Sequence, residues 1–267
     1  MKADLHTHST VSDGSDTIGE LVEKAKAKSL DAIAITEHDT LSHLWRLPDD
    51  KNIQIIGGVE ISAVYRKTGA RAHILGYHIV KPEIVTALTR PVLEARNRNS
   101  EKQAEILIKM GYKIDMDRLP RADGKYLYKQ HIMDWLTSTG QVSDFFGEFY
   151  MSTFKNGGVC CFDINYIDVF DAVKTIKEAG GLAVLAHPGQ QRNFAIIPEL
   201  ARGGLDGLEL NHHTHDEKDR EILKKYAAEH GLFLTGGSDA HGRYEPQPYG
   251  VGDFLSEESG TLVICRA

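Results

Sequence analysis

Ala32-Ile33-Ala34-Ile35-Thr36-Glu37-His38-Asp39 opens as an apolar run of strand length and ends in a cluster of polar, chemistry-bearing side chains. The pattern recurs at Ala3 to Leu5, Ile53 to Ile56, Val59 to Tyr65, Ala72 to Val80, Leu182 to Ala186, Gly207 to Leu210, Leu232 to Thr235 and Thr261 to Cys265, with amphipathic helical stretches following such runs. Strand runs alternating with helices predict a mainly parallel sheet with helices outside it. Thr17 can cap a first helix with Glu20 three residues on, which sets Ile18, Leu21, Val22 and Ala25 on one face. Asp216 to His230 reads the same way, with Ile222, Leu223, Tyr226 and Ala227 inward and Gly231 as the stop.

The 267 residues, 41% of them hydrophobic, carry a formal net charge of -7, which excludes disordered and collagen-like chains. One α/β barrel of about 250 residues fits the length. No run approaches the ~18 apolar residues of a membrane span, so a cytoplasmic protein with no membrane partner is expected. Cys160, Cys161 and Cys265 show no CxxC spacing and read as small buried thiols rather than a disulfide or zinc framework. The acidic balance argues against binding long nucleic acid, yet permits an anionic substrate wherever bound cations reverse the local sign. No repeat or low-complexity run is present, and nothing implies an obligate protein partner.

Between Pro82 and Gly158 the rhythm fails, because helix-like stretches (Val92 to Met110, Gln130 to Ser138, Val142 to Phe154) follow one another with few strand runs between. Residues 1–81 and 159–267 are therefore expected to form the barrel, with 82–158 as a helical insertion. Trp135, Phe145, Phe146, Phe149 and Tyr150 are spaced like the core of a small helical cap.

In a parallel barrel the active site lies at the carboxyl ends of the strands. Those ends here read His6-Thr7-His8, Thr36-Glu37-His38-Asp39, Glu60, His73 to His78, His187-Pro188, Asn211-His212-His213-Thr214-His215 and Ser238-Asp239-Ala240-His241. Ten of the 13 histidines fall in or just beyond these runs, a concentration that random scatter does not produce. His6 and His8, two apart, project from one face of an extended strand and can share a cation. Imidazoles with a few carboxylates and no thiolate suit Zn, Mn or Fe.

Together Asp4-Leu5-His6-Thr7-His8-Ser9, Ser12-Asp13-Gly14, Thr36-Glu37-His38-Asp39, Gly58-Val59-Glu60-Ile61-Ser62, His73-Ile74-Leu75-Gly76-Tyr77, Ala186-His187-Pro188 and Gly237-Ser238-Asp239-Ala240-His241-Gly242 resemble the polymerase and histidinol phosphatase (PHP) superfamily of metal-dependent phosphoesterases. The resemblance implies a distorted (β/α)7 barrel holding two or three divalent metal ions. It places His6, His8, Glu60 and Asp239 around one metal, with Glu60 bridging to a second held by His73 and His187. A third would take Asp13, His38 and His241. Family members differ over the histidine before or after the Leu-Gly pair, and position favours His73 over His78. Within the superfamily the order of parts is similar to the branch that hydrolyses phosphorylated nucleosides and ribose derivatives. That branch usually carries Gly-Arg-Pro-His in the insertion, where this chain reads Tyr128-Lys129-Gln130-His131.

The expected activity is hydrolysis of a phosphate ester of a small phosphorylated metabolite, such as a nucleoside mono- or bisphosphate or a ribose cyclic phosphate. Two cations roughly 3.5 to 4 Å apart would lower the pKa of a water and aim it at phosphorus. Lys129, His131 and Arg192 are the expected substrate-binding residues, and His215, with Asp239, is the expected catalytic residue. His212 and His213 are read as loop residues, His43 and His230 as solvated, and Thr36 and Ser238 as partners that orient the ligands. An exonuclease on short oligonucleotides, a histidinol-phosphatase-like enzyme and a non-catalytic metal-binding module are the rival readings.

Overall fold

The computed structural model describes residues 1–245 and 249–266; Pro246, Gln247, Pro248 and Ala267, within the expected barrel segment, lie outside the described residues. The strands are β1 (Ala3–Asp4), β2 (Ala32–His38), β3 (Gln54–Tyr65), β4 (Ala70–Tyr77), β5 (Ile167–Asp168), β6 (Leu182–Ala186), β7 (Gly207–Asn211) and β8 (Phe233–Gly236). The helices are α1 (Ile18–Ala27), α2 (Pro82–Lys109), α3 (Lys129–Ser138), α4 (Glu148–Phe154), α5 (Val169–Glu178), α6 (Pro188–Gln191), α7 (Ile197–Arg202), α8 (Glu217–His230) and α9 (Glu258–Arg266). No helix among the described residues is long and apolar enough to cross a membrane.

Seven strands run side by side in the order β1-β2-β3-β4-β6-β7-β8, and β5 pairs with β3 off this path. The ring is drawn together where Leu5 N donates to Gly236 O at 3.2 Å and Thr7 bridges to Ala240 in parallel. The result is a distorted α/β barrel. Its distortion is local: β4 runs antiparallel to both β3 and β6. The short connection from Tyr65 to Ala70 makes a hairpin, so no crossover helix returns the chain to the starting end.

Both sequence-derived caps are present. Thr17 and Glu20 form a capping box on α1, and α8 ends at Gly231, whose φ is 66°. Two of the expected strand runs change. Ile53 to Ile56 and Val59 to Tyr65 fuse into the single strand β3. Thr261 to Cys265 is helical rather than extended, because as part of α9 it packs Ile264 and Cys265 against Ala3, Leu5 and Ala32. A five-residue apolar run fits either period until its neighbours are known.

The long α2 serves two cores. Val85 and Val92 pack with Val59, Ala172 and Ile176 beside the sheet, whereas Ala104 and Leu107 pack with Leu119, Ile132, Met133, Tyr150 and Phe154 in a helical cap. Trp135, Phe145, Phe146 and Phe149 flank that second core. The helix expected from Val142 begins only at Glu148, after Gly147 at its N-cap.

His43 is fully buried rather than solvated, and its Nε2 lies 3.1 Å from the Ile35 carbonyl. Burial lowers its pKa, so the folded protein keeps the ring neutral while the unfolded chain takes up a proton below about pH 6.5. Its stabilising contribution is therefore complete above pH 6.5 and lost as pH falls toward the depressed folded value. Urea unfolding should give a wild-type stability that declines more steeply from pH 6.5 to 5 than that of His43→Gln; parallel profiles would refute this.

Candidate active site

Alternation along the first strand run aims His6 and His8 the same way, while Thr7 between them turns outward and donates from Oγ1 to Ala34 O at 2.7 Å. Asp239 Oδ1 lies 3.3 Å from His6 Nε2 and 3.1 Å from His8 Nε2. Glu60 sits at the centre of the cluster and its two oxygens face different groups. Oε2 is 3.3, 3.2 and 3.1 Å from His6 Nε2, His8 Nε2 and His38 Nδ1. Oε1 is 2.7 Å from His73 Nδ1 and 2.8 Å from His187 Nε2. On the other side Asp13 Oδ1 lies 3.3 Å from His241 Nε2 and 3.9 Å from His38 Nε2.

The donor chemistry fits divalent cations. His6 Nε2, His8 Nε2, His38 Nδ1, Glu60 Oε2, Asp13 Oδ1 and Asp239 Oδ1 are all buried without a hydrogen-bond partner among the described residues, although they converge on one another. So many desolvated, unsatisfied polar atoms are costly unless a cation takes their lone pairs. Ligand atoms of His6, His8, Glu60 and Asp239 lie within 4.8 Å of one another, as do those of His8, Asp13, His38 and His241, and those of His38, Glu60 and His73. Burial lowers the pKa of His38 to about 3, which keeps its ring in the neutral form that ligates metals.

A supporting layer holds this set in place. Glu209 Oε1 lies 3.0 Å from His6 Nδ1, and Oε2 accepts from His187 N at 2.8 Å, so one buried carboxylate orients two imidazole-bearing segments. Glu209→Ala should cost about 10- to 100-fold in metal affinity, read by titration of the stripped protein; unchanged affinity would show that His6 needs no such partner. Glu37 accepts from Ser9 N at 3.1 Å and from the Ser9 and Ser12 hydroxyls, fixing the loop that carries Asp13. Asp39, His187 and Asp239 have φ of 57°, 26° and 53°, the strained backbone that marks functional strand ends.

Several expected residues sit elsewhere. His78, just past β4, turns its Nε2 to the Ile264 carbonyl at 2.7 Å, whereas His73 faces Glu60. His215 has no free nitrogen for catalysis: Nδ1 donates to Leu210 O at 2.8 Å and Nε2 accepts from Gly189 N at 3.0 Å. Arg192 is exposed and pairs with Asp219 at 3.3 Å. His131 Nδ1 accepts from Tyr128 N at 3.2 Å as a cap of α3, and burial lowers its pKa to about 4. Thr36 and Ser238 bind backbone and Asp4 rather than ligand rings: Thr7 N donates to Thr36 Oγ1 at 3.2 Å, and Ser238 Oγ donates to Asp4 Oδ2 at 2.6 Å. Cys161 is exposed, not buried.

His212 is more than a loop residue. It is fully buried, its Nδ1 accepts from Thr214 N at 3.2 Å, and Nε2 lies 3.4 Å from Asp239 Oδ2. Arg96 and Gln130 also escaped the sequence reading. Arg96 Nη2 donates to Asp39 Oδ2 at 2.9 Å, and Gln130 Nε2 donates to Asp13 Oδ2 at 2.7 Å. Gln130 stands in the Tyr128-Lys129-Gln130-His131 stretch, whose departure from Gly-Arg-Pro-His was the available signal.

Carboxylates and imidazoles gathered at the strand ends of a nearly closed α/β barrel are a donor set suited to divalent cations. The chain belongs to the PHP domain family, whose model matches residues 4–245. It is 41% identical over 256 residues to the phosphoribosyl 1,2-cyclic phosphate 1,2-diphosphodiesterase of Eggerthella lenta, covering 93% of this chain and 97% of that one. It is 31% identical over 258 residues to a 5'-3' exoribonuclease of Haemophilus influenzae, covering 90% of each. A solved structure from Bifidobacterium adolescentis, titled as a metal-dependent phosphoesterase, superposes with a TM-score of 0.85 at 26% identity, covering 99% of this chain and 96% of the other. The chain is accordingly a hydrolase acting on phosphoester bonds.

Proposed function

We propose that the chain hydrolyses a phosphate ester of a small phosphorylated ribose or nucleotide, with a ribose cyclic phosphate as the first candidate, at the cluster centred on Glu60. The observation that carries this reading is the division of Glu60 between two sets of imidazoles, Oε2 toward His6, His8 and His38 and Oε1 toward His73 and His187. His6, His8, Glu60 and Asp239 would hold one divalent cation, and Glu60, His73 and His187 a second. Asp13, His38 and His241 would hold a third. Mn, Zn and Fe all suit these donors. Bound there, the cations supply Lewis acidity toward the phosphoryl oxygens.

The chain's own residues prepare the site. Thr214 N donates to His212 Nδ1, which leaves the ring proton on Nε2, facing Asp239 Oδ2. This steadies one carboxylate oxygen while Oδ1 faces His6 and His8. Gln130 does the same for Asp13. Arg96 and Lys129 line a cavity of about 260 Å³ beside the cluster, a size that favours a small substrate over a long polymer.

Product formation tests the proposal, using stripped protein with Mn²⁺ restored: ring-opened monoester and then phosphate from ribose cyclic phosphates, phosphate from nucleoside mono- and bisphosphates and sugar phosphates, and mononucleotides from short oligonucleotides. Metal-dependent turnover of a small ester is expected; metal binding without turnover of any would overturn it. The Haemophilus relative's name motivates the second reading, an exonuclease on short oligonucleotides. Under that reading, oligonucleotides would outcompete the mononucleotides.

A further inference from the structure

Helix α3 belongs to the cap, yet polar side chains at its start reach across to the barrel. Gln130 Nε2 donates to Asp13 Oδ2 at 2.7 Å. One turn on, Asp134 accepts from Arg243 Nε at 2.9 Å and Nη2 at 2.8 Å, and from the Tyr244 hydroxyl at 3.3 Å. Arg243 and Tyr244 lie just after His241 in the chain, and the buried Tyr244 ring stacks on Phe145 of the cap with centroids 5.4 Å apart. Tyr128, at the N-cap of α3, gives its hydroxyl to the His38 carbonyl at 3.4 Å.

These contacts converge on one set of residues. Asp13, His38 and His241 are the ligands assigned above to the third cation, and their ligand atoms lie within 4.8 Å of one another. His6, Glu60, His73, His187 and Asp239 are held instead by barrel residues such as Glu209 and His212, and among the described residues none of them bonds to residues 82–158. The donors are this chain's own, because Tyr128 and Gln130 stand where Gly-Arg-Pro-His has glycine and proline, neither of which carries a side-chain donor. Arg243 is exposed, so its pair with Asp134 adds little to stability; what it fixes is the position of the segment that carries His241.

We propose that Tyr128, Gln130 and Asp134 are positioning residues for the third cation, so that binding at that position and docking of the cap on the barrel strengthen one another. This rests on the three-cation assignment above and adds to it the coupling of one position to the cap. The coupling runs both ways: a docked α3 holds Asp13 and the His241 segment ready for a cation, and a cation gathering Asp13, His38 and His241 fixes the partners that α3 binds.

Equilibrium dialysis of the chelator-stripped full chain against Mn²⁺, with elemental analysis, counts and grades the bound ions, while hydrogen–deuterium exchange reads α3 with and without Mn²⁺. In the wild type, Mn²⁺ should slow exchange of the α3 amides. Gln130→Ala and, separately, Asp134→Ala should weaken one bound equivalent by about 10-fold or more, leave the others unchanged and remove most of that slowing. Alanine is a strong helix former, so melting temperatures of the stripped variants should stay close to that of the wild type. Glu209→Ala provides the contrast, since Glu209 supports His6 and His187: it should weaken other equivalents and leave the slowing of α3 in place.

Exchange of α3 indifferent to Mn²⁺, or Mn²⁺ affinities unaltered in both α3 variants, would overturn the proposal. Metal-dependent turnover accompanied by either result would remove the coupling and leave the hydrolase reading intact. Mn²⁺-dependent protection of α3 that is lost in Gln130→Ala, without turnover of any ester, would sustain the coupling and remove the proposed reaction.

Discussion

Glu60→Gln is expected to lower kcat by on the order of 10³-fold and to reduce bound metal at two positions together. The expectation follows from the carboxylate's placement. Each oxygen faces its own group of imidazoles, at 2.7 to 3.3 Å, and the side chain is fully buried. Glutamine keeps the shape but replaces one oxygen with an amide NH₂, which offers no lone pair to a cation and turns N–H groups toward histidine nitrogens. Elemental analysis together with single-turnover kinetics would check both halves. Full metal content with near-normal turnover in this variant would overturn the central role given to Glu60.

Gly237→Ala is expected to cost at least about 1 to 3 kcal/mol of stability, equivalent to a melting temperature lower by roughly 3 to 10 °C. A Cβ at Gly237 would fall 2.3 Å from His6 Cβ, 2.5 Å from His6 N and 2.8 Å from His6 Cα. Two of these contacts are backbone atoms of the first segment of the barrel, so no rotamer change can relieve them. Relief requires the chain after β8 to move off His6, where Asp239 N donates to His6 O at 2.8 Å. Stability and metal affinity should therefore fall together. Gly250→Ala serves as the control, since nothing among the described residues lies within 4 Å of its added Cβ. Equal melting temperatures for the two variants would refute the argument.

Much of the candidate site was legible because its residues follow local rules. His6 and His8 share a face through the two-residue period of an extended chain, and His38, His187 and Asp239 stand where strand runs end. The antiparallel placement of β4 and the helical state of Thr261 to Cys265 were not legible. Each depends on which neighbour a short apolar segment meets. His73 and His78 show the boundary between the two kinds of information. They are five residues apart, but β4 ends at Tyr77, and a φ of 54° at His78 turns that ring toward α9.

The sequence by itself determined the barrel class, the capped helices α1 and α8 and the pool of imidazoles and carboxylates, because periodicity, caps and strand ends are properties of neighbouring residues. Only the tertiary structure decided which atoms face one another. Glu209 meets His6 across 203 positions, Gln130 meets Asp13 across 117, and Arg96 meets Asp39 across 57. Such pairs have no local signature, since burial selects them: once the barrel closes and water leaves, each polar group must find a partner wherever the fold brings one.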